Sequence, residues 1–252
     1  MRQFDYEKKK DAERAYYENR GGFFYRLFNH PVLKRQFAFN YAFAKKQMLA
    51  LVQKHRPETL GKLLVAPCGE GDDFKYLSGL AHEIHGIDLS PIAIKNCPSE
   101  MKVKTGDILE SGYSDESFDL IASPLFFHHL LKVGFDPFLK EFYRLLKPGG
   151  GLVILEFSLW YPLNIITRPI KRIFRNPFGE VEDEDPFRPA LMLNSLGRLG
   201  FQNIEIRAAT FSHPSFCIPL SKLINYSTQP LFNVWPLKYC AWLLVYWAEK
   251  PI

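Results

Sequence analysis

Two carboxylates, two adjacent histidines and a pair of glycines are the groups in this chain whose types and spacing could do chemistry. Gly69 and Gly71 lie in Cys68-Gly69-Glu70-Gly71, directly after the apolar run Leu63 to Ala66. Lacking Cβ atoms, they let the backbone turn sharply and approach a ligand closely. Asp88 stands 17 residues beyond Gly71, near the roughly 20 expected of a carboxylate that grips ribose hydroxyls. Asp107 repeats the pattern one strand later, and His128-His129 follow the strand after that. A neutral imidazole, with a pKa of about 6.5, could take a proton from a hydroxyl. The chemistry on offer is the binding of a nucleoside-type cofactor beside a general base.

Such groups need a sheet to hold them. Leu63 to Ala66 reads as a first strand, and an amphipathic helix is expected after the glycine turn. His82 to Leu89 forms a second strand ending near Asp88, and Lys104 to Ile108 closes a third with Asp107. Ser117 to Ser123 reads as a fourth strand, leading into Phe126-Phe127-His128-His129-Leu130. A helix over Asp136–Leu146 then meets Lys147-Pro148-Gly149-Gly150-Gly151 and the apolar strand Leu152 to Glu156. In open α/β sheets, ligands bind at the carboxyl ends of the strands, and the polar residues singled out above fall there.

This ordered set resembles the class I S-adenosylmethionine-dependent methyltransferases, type 11 subgroup, closely over residues 60–160 and more loosely over 186–207. The resemblance implies an α/β, Rossmann-like fold: a seven-stranded, mostly parallel sheet with an antiparallel last strand, an N-terminal helical lid and a C-terminal cap insertion. It also implies S-adenosylmethionine as the cofactor. The backbone of Ala66, Pro67, Cys68, Gly69 and Gly71 would approach its methionine part. Asp88 would take the ribose hydroxyls, with Leu89 against the adenine. Asp107 would accept from the adenine amino group, with Ile108 flanking the ring. His128 and His129 are the candidate catalytic bases, with Glu156 and Ser158 comparable and Tyr16 and Tyr17 behind them.

Two residues depart from the family pattern. Val65 stands where an acidic residue usually closes the first strand, and Pro67 replaces the first glycine of the turn. The missing carboxylate would help hold the cofactor's amino group, and Glu70, Asp72 and Asp73 are the substitutes at hand. Proline fixes φ and offers no N–H. A catalytically degenerate, cofactor-binding scaffold therefore stays open as an alternative. A dinucleotide-dependent dehydrogenase does not: its glycine pattern would put Phe74 where a third glycine must pack, and the acidic edge would repel a pyrophosphate.

The hydrophobic share of 47% and charged share of 23% are those of an ordinary globular chain. The 252 residues are expected to form one domain, with a lid over 1–57, a cofactor-binding half over 58–160, and cap insertions and closing strands over 161–252. Cys68, Cys97, Cys217 and Cys240 are widely spaced, which points to reduced thiols. No metal is expected, since His and carboxylates show no ligand spacing. The charged start lacks the apolar core of a signal peptide, and no apolar run reaches the ~18–20 residues of a membrane span. A net charge of +5 comes with no nucleic-acid-binding motif. The expected setting is cytoplasmic, with peripheral membrane contact as an open alternative; the sequence does not fix the oligomeric state.

Aromatic seams run through Tyr16, Tyr17, Phe23, Phe24, Tyr25, Phe28, Phe37, Phe39, Tyr41 and Phe43. A basic cluster, Arg168, Lys171, Arg172 and Arg175, precedes the acidic Glu180, Glu182, Asp183, Glu184 and Asp185. Pro189 to Leu199 reads as a helix stopped by Gly200, Phe201 to Arg207 as a strand, and Cys240 to Ala248 as the last strand. Between these strands, residues 208–239 are rich in aromatic and aliphatic side chains broken by prolines, such as Phe216, Leu223 and Trp235. A substrate wall, a membrane surface, a partner chain or plain packing could bury them. The favoured acceptor is an oxygen on a small or lipid-linked molecule, followed by a carbon of a quinone-like ring and then by nitrogen.

Overall fold

Seven strands form one sheet in the computed structural model, which describes residues 6, 7, 10, 30–165 and 185–252. They are β1 (Leu60–Val65), β2 (Ala81–Asp88), β3 (Lys102–Thr105), β4 (Phe118–Pro124), β5 (Leu146–Phe157), β6 (Gln202–Thr210) and β7 (Leu243–Glu249). Their order is β3-β2-β1-β4-β5-β7-β6. The pairs from β3 to β5 are all parallel, and β7 runs antiparallel to both neighbours, β5 and β6. This is the expected mostly parallel, Rossmann-like sheet with an antiparallel last strand. The carboxyl ends of β1 to β6 consequently share one edge.

Both faces of the sheet are covered, so neighbouring residues along a strand are buried together. Leu64, Ile121, Ile154 and Tyr246 pack on one side with Phe138 and Phe142 of α4 (Asp136–Leu145). Leu63, Leu120, Val153 and Trp247 pack on the other with Met48 and Leu51 of α1 (Pro31–His55). Gly151 lets that second core close: a Cβ there would lie 2.3 Å from the Trp247 ring. Proline at the first position of α1 costs no hydrogen bond. At its other end, Lys54 and His55 pair with Glu205 of β6, and Arg56 with Glu249 of β7.

Several boundaries differ from expectation. The helix after the glycine turn is a single turn, Phe74–Leu77 (α2), because Ser78-Gly79 follows at once and Leu80 already caps the start of β1. A second short helix, Pro91–Ile94 (α3), is capped by the Ser90 hydroxyl on the Ala93 amide. The last strand begins at Leu243, not Cys240, since Leu237–Cys240 coil into a 3-10 turn. The helix before Gly200 is Pro189–Arg198 (α5), and a further helix, Ile218–Ser227 (α6), occupies the insertion between β6 and β7. Tyr16, Tyr17, Phe23, Phe24, Tyr25, Phe28, Arg168, Lys171, Arg172, Arg175, Glu180, Glu182, Asp183 and Glu184 lie outside the described residues. Among the described residues, no helix is long and apolar enough to cross a membrane, and no cluster of three or more His, Cys, Asp or Glu could hold a metal.

Candidate active site

A pocket opens at the carboxyl ends of β1 to β4. Pro67, Asp88, Leu89, Asp107, Ile108, Leu125, Phe126 and His129 line it, joined by Tyr6 and Lys10 from the N-terminal segment. Asp88 is buried at the end of β2. Its Oδ2 accepts the Gly69 amide at 2.8 Å and its Oδ1 the Ser90 amide at 2.9 Å. A carboxylate has about four acceptor positions, and the two amides take one on each oxygen and so fix its plane.

The glycine turn has a firm steric reason for its second glycine. Gly71 has φ +76°, and a Cβ there would lie 2.6 Å from Pro98 Cδ. Gly69 also has positive φ, with open space where its Cβ would be. Of the turn, Pro67 lines the pocket, while Ala66 and Cys68 are buried and donate their amides to Ala122 and Ile87 carbonyls. Burial, with the nearby Cys97 thiol and Asp88 carboxylate, pushes the Cys68 thiol far above its usual range, so it stays protonated.

Asp107 is held from two directions. Its Oδ1 accepts from the Tyr6 hydroxyl at 2.7 Å and from the Leu109 amide at 2.9 Å, and Lys10 Nζ lies 3.3 Å from Oδ2. Tyr6 is itself buried, edge-on to Phe138. Burial and the Asp107 carboxylate raise its phenol well above the ordinary range, which keeps it a donor.

The candidate bases are arranged unequally. Glu156, fully buried near the end of β5, accepts the Phe126 and Phe127 amides on Oε1 and lies 2.9 Å from His128 Nδ1 through Oε2. An ionised carboxylate only accepts, so the hydrogen-bond network assigns the proton to Nδ1 and leaves Nε2 of neutral His128 as an acceptor. His129 lines the pocket, its ring 4.0 Å from that of His128. Leu125, between β4 and these histidines, adopts φ +55°, a costly conformation for a branched side chain and one that clusters at functional sites. The Ser158 hydroxyl is committed to the Tyr239 carbonyl at 2.6 Å.

The proposed stand-ins for the missing first-strand carboxylate do not line the pocket. Asp73 is buried against Lys45 at 2.9 Å; burial raises its pKa and the ammonium works against that rise. Glu70 accepts from Asn96. Val65 packs in the sheet core. Sequence reasoning missed Tyr6, Lys10, Leu125 and Phe126 as pocket residues. Tyr6 lies 101 positions from Asp107, and only the tertiary fold brings them together.

Residues 64–154 match the family described as methyltransferase domain. This segment is a class I methyltransferase domain of the type 11 subgroup. The domain holds Asp88, Asp107, His128 and His129. Over 113 residues, 40% of this chain and 45% of the relative, the sequence is 32% identical to a demethylmenaquinone methyltransferase of Lactobacillus johnsonii. The chain spans less than half the length of the curated relatives it matches. Among solved structures, an S-adenosylmethionine-dependent methyltransferase of Thermotoga maritima, described as a possible histamine N-methyltransferase, aligns with TM-score 0.62 at 17% identity, covering 90% of this chain and 99% of that one. A phosphoethanolamine N-methyltransferase of Haemonchus contortus, in complex with S-adenosyl-L-methionine, aligns with TM-score 0.55 at 18% identity, covering 82% of this chain and 53% of that one. At these identities, the structural matches speak for the fold of the methyltransferase domain.

Proposed function

We propose that the chain is an S-adenosylmethionine-dependent methyltransferase whose acceptor atom is an oxygen. The residues around the pocket fit the nucleoside part of that cofactor. Asp88 at the end of β2 suits the ribose diol, Asp107 the adenine amino group, and Leu89 and Ile108 the faces of the base. When bound, the cofactor supplies an electrophilic methyl carbon on a sulfonium. The protein's tasks are then to align the acceptor, exclude water and receive a proton.

The oxygen reading rests on one observation, the His128–Glu156 pair. A neutral amine attacks without prior loss of a proton, whereas a hydroxyl benefits from a base at the moment of transfer. With a hydroxyl acceptor, His128 Nε2 would receive the hydroxyl proton and Glu156 would stabilise the resulting imidazolium through Nδ1. Leu125 and Phe126 line the pocket near the histidines, and their apolar side chains would help exclude water there.

A carbon acceptor on a quinol-like ring is the second reading, favoured by the identity shared with the demethylmenaquinone methyltransferase. The same base would then take a phenolic proton. Incubating the protein with methyl-labelled cofactor and cell extract, followed by separation of small-molecule and lipid fractions, tests the proposal. Label in an alkali-stable ether or a carboxyl ester supports oxygen transfer, and label on a ring carbon supports the second reading. Cofactor binding with no label in any fraction would leave a scaffold.

A further inference from the structure

The insertion between β6 and β7 carries a helix that is inside out. The side of α6 facing the protein presents Ser221 and Asn225, both fully buried. Ser221 meets Asn40 of α1 at 3.4 Å, and Asn225 accepts from the Thr210 hydroxyl at 2.6 Å. The opposite side carries Leu220, Leu223 and Tyr226, spaced i, i+3, i+6; Leu223 and Tyr226 are 66% and 64% exposed. The chain then turns through Phe232, which is buried against Phe43 and Phe211 and anchors the loop. Beyond that anchor it exposes Trp235 at 75%. An ordinary surface helix puts its apolar arc toward the core. Here hydrogen bonds hold the polar arc inward, so the apolar arc is free to meet something else.

Charge says what that something is. No Asp or Glu occurs over residues 19–57 or 206–248, although the chain has 27 of them. The first stretch contains all of α1, which packs along α6 through Asn40–Ser221 and Phe43–Tyr226. Lys34 and Arg35 are exposed one to two turns before Asn40, and Lys222 is exposed on α6 itself. An exposed apolar arc, a Trp and a Tyr, flanking cations and no carboxylate match the interfacial region of an anionic bilayer. A protein partner would not require acidic residues to be absent from both elements.

We propose that α6 and the loop through Trp235 form a peripheral docking surface for an anionic lipid bilayer. Leu220, Leu223 and Trp235 enter the headgroup–acyl boundary, and Lys34, Arg35 and Lys222 meet the lipid phosphates. The inference stands independently of the methyl-transfer reading.

Co-sedimentation of the full chain with phosphatidylglycerol–phosphatidylcholine vesicles and with pure phosphatidylcholine vesicles tests it. The wild type should pellet with the anionic vesicles and be released progressively by salt. Leu223→Glu/Trp235→Glu should lower the vesicle partition coefficient by at least about tenfold. Arg35→Gln/Lys222→Gln should selectively weaken binding to the anionic vesicles. Unchanged far-UV circular dichroism and melting temperature verify that the substituted positions leave the fold intact. A wild type that stays in solution with anionic vesicles at low salt overturns the proposal. So does pelleting that the Leu223→Glu/Trp235→Glu pair leaves unchanged, or a lipid-indifferent dimer that the pair dissociates.

Discussion

His128 and Glu156 are 28 residues apart in the chain, yet Nδ1 and Oε2 lie 2.9 Å apart, with the carboxylate fully buried. Burying that carboxylate is tolerable because three groups meet it: the imidazole and the amides of Phe126 and Phe127. The same carboxylate therefore shapes the loop after β4 and sets the tautomer of the histidine that the loop carries.

If the pair serves the transfer step, Glu156→Gln should lower kcat by about a hundredfold while leaving cofactor affinity within a few-fold. The amide keeps one acceptor oxygen but cannot stabilise an imidazolium as a carboxylate does. Steady-state kinetics alongside calorimetric binding would separate the two quantities. Parallel loss of affinity, melting temperature and rate would instead mark Glu156 as a scaffold for the loop.

Tyr6 and Lys10 both reach Asp107 at the pocket. A hydrogen bond to a charged group is worth roughly 1.5–3 kcal/mol, and part of that orients the Asp107 carboxylate at the pocket. Tyr6→Phe is expected to weaken cofactor binding by about three- to tenfold, read by calorimetry. Affinity equal to that of the wild type would show that the Tyr6 hydroxyl does not contribute to the site.

Gly71→Ala should destabilise the protein by about 1–3 kcal/mol, since the new Cβ meets Pro98 and φ is unfavourable. For a chain of this size, that is a melting temperature lower by roughly 3–10 °C. An unchanged melting curve would contradict the steric account of the turn.

His213 gives the fold a pH dependence. Burial lowers its pKa from 6.5 to about 4, and its Nδ1 accepts the Ser215 amide at 3.1 Å, as a neutral ring does. Between those two values the unfolded chain binds the extra proton, so stability rises with pH. The contribution is complete above about pH 6.5, is lost as pH falls toward 4, and amounts to about 2–3 kcal/mol. Denaturant melts of the wild type and His213→Gln at pH 7.5 and 4.5 should show a smaller acid-induced loss in the variant. Equal losses would mean His213 titrates normally.

The sheet and its polar edge were legible because their signals are local. Apolar runs end in glycine or aspartate at β1 and β2, and Lys147-Pro148-Gly149-Gly150-Gly151 punctuates the approach to the apolar part of β5. The strand limits at Asp88 and Glu156 fall within a residue or so of expectation. What stayed hidden depends on distant pairing. His128 and Glu156 were both visible as candidates, but nothing in their spacing says that they touch. The resemblance implies a lid over residues 1–57, but nothing in its charged start singles out Tyr6 and Lys10 as pocket residues. In α6, a reading by apolar period would turn Leu220 and Leu223 inward; the hydrogen bonds of Asn40 and Thr210 turn them out.

Calorimetric titration of S-adenosylmethionine into the wild type, Asp88→Asn and Asp88→Ala tests the central claim most directly. Asp88→Asn retains an acceptor oxygen for the Gly69 or Ser90 amide, so it guards against collapse of the turn. The wild type should bind, and Asp88→Ala should bind about ten- to a hundredfold more weakly, the equivalent of losing about 1.5–3 kcal/mol from a charge-assisted contact. Asp88→Asn should fall between them. Wild-type protein that shows no heat of binding, or a folded Asp88→Ala with undiminished affinity, would contradict the account.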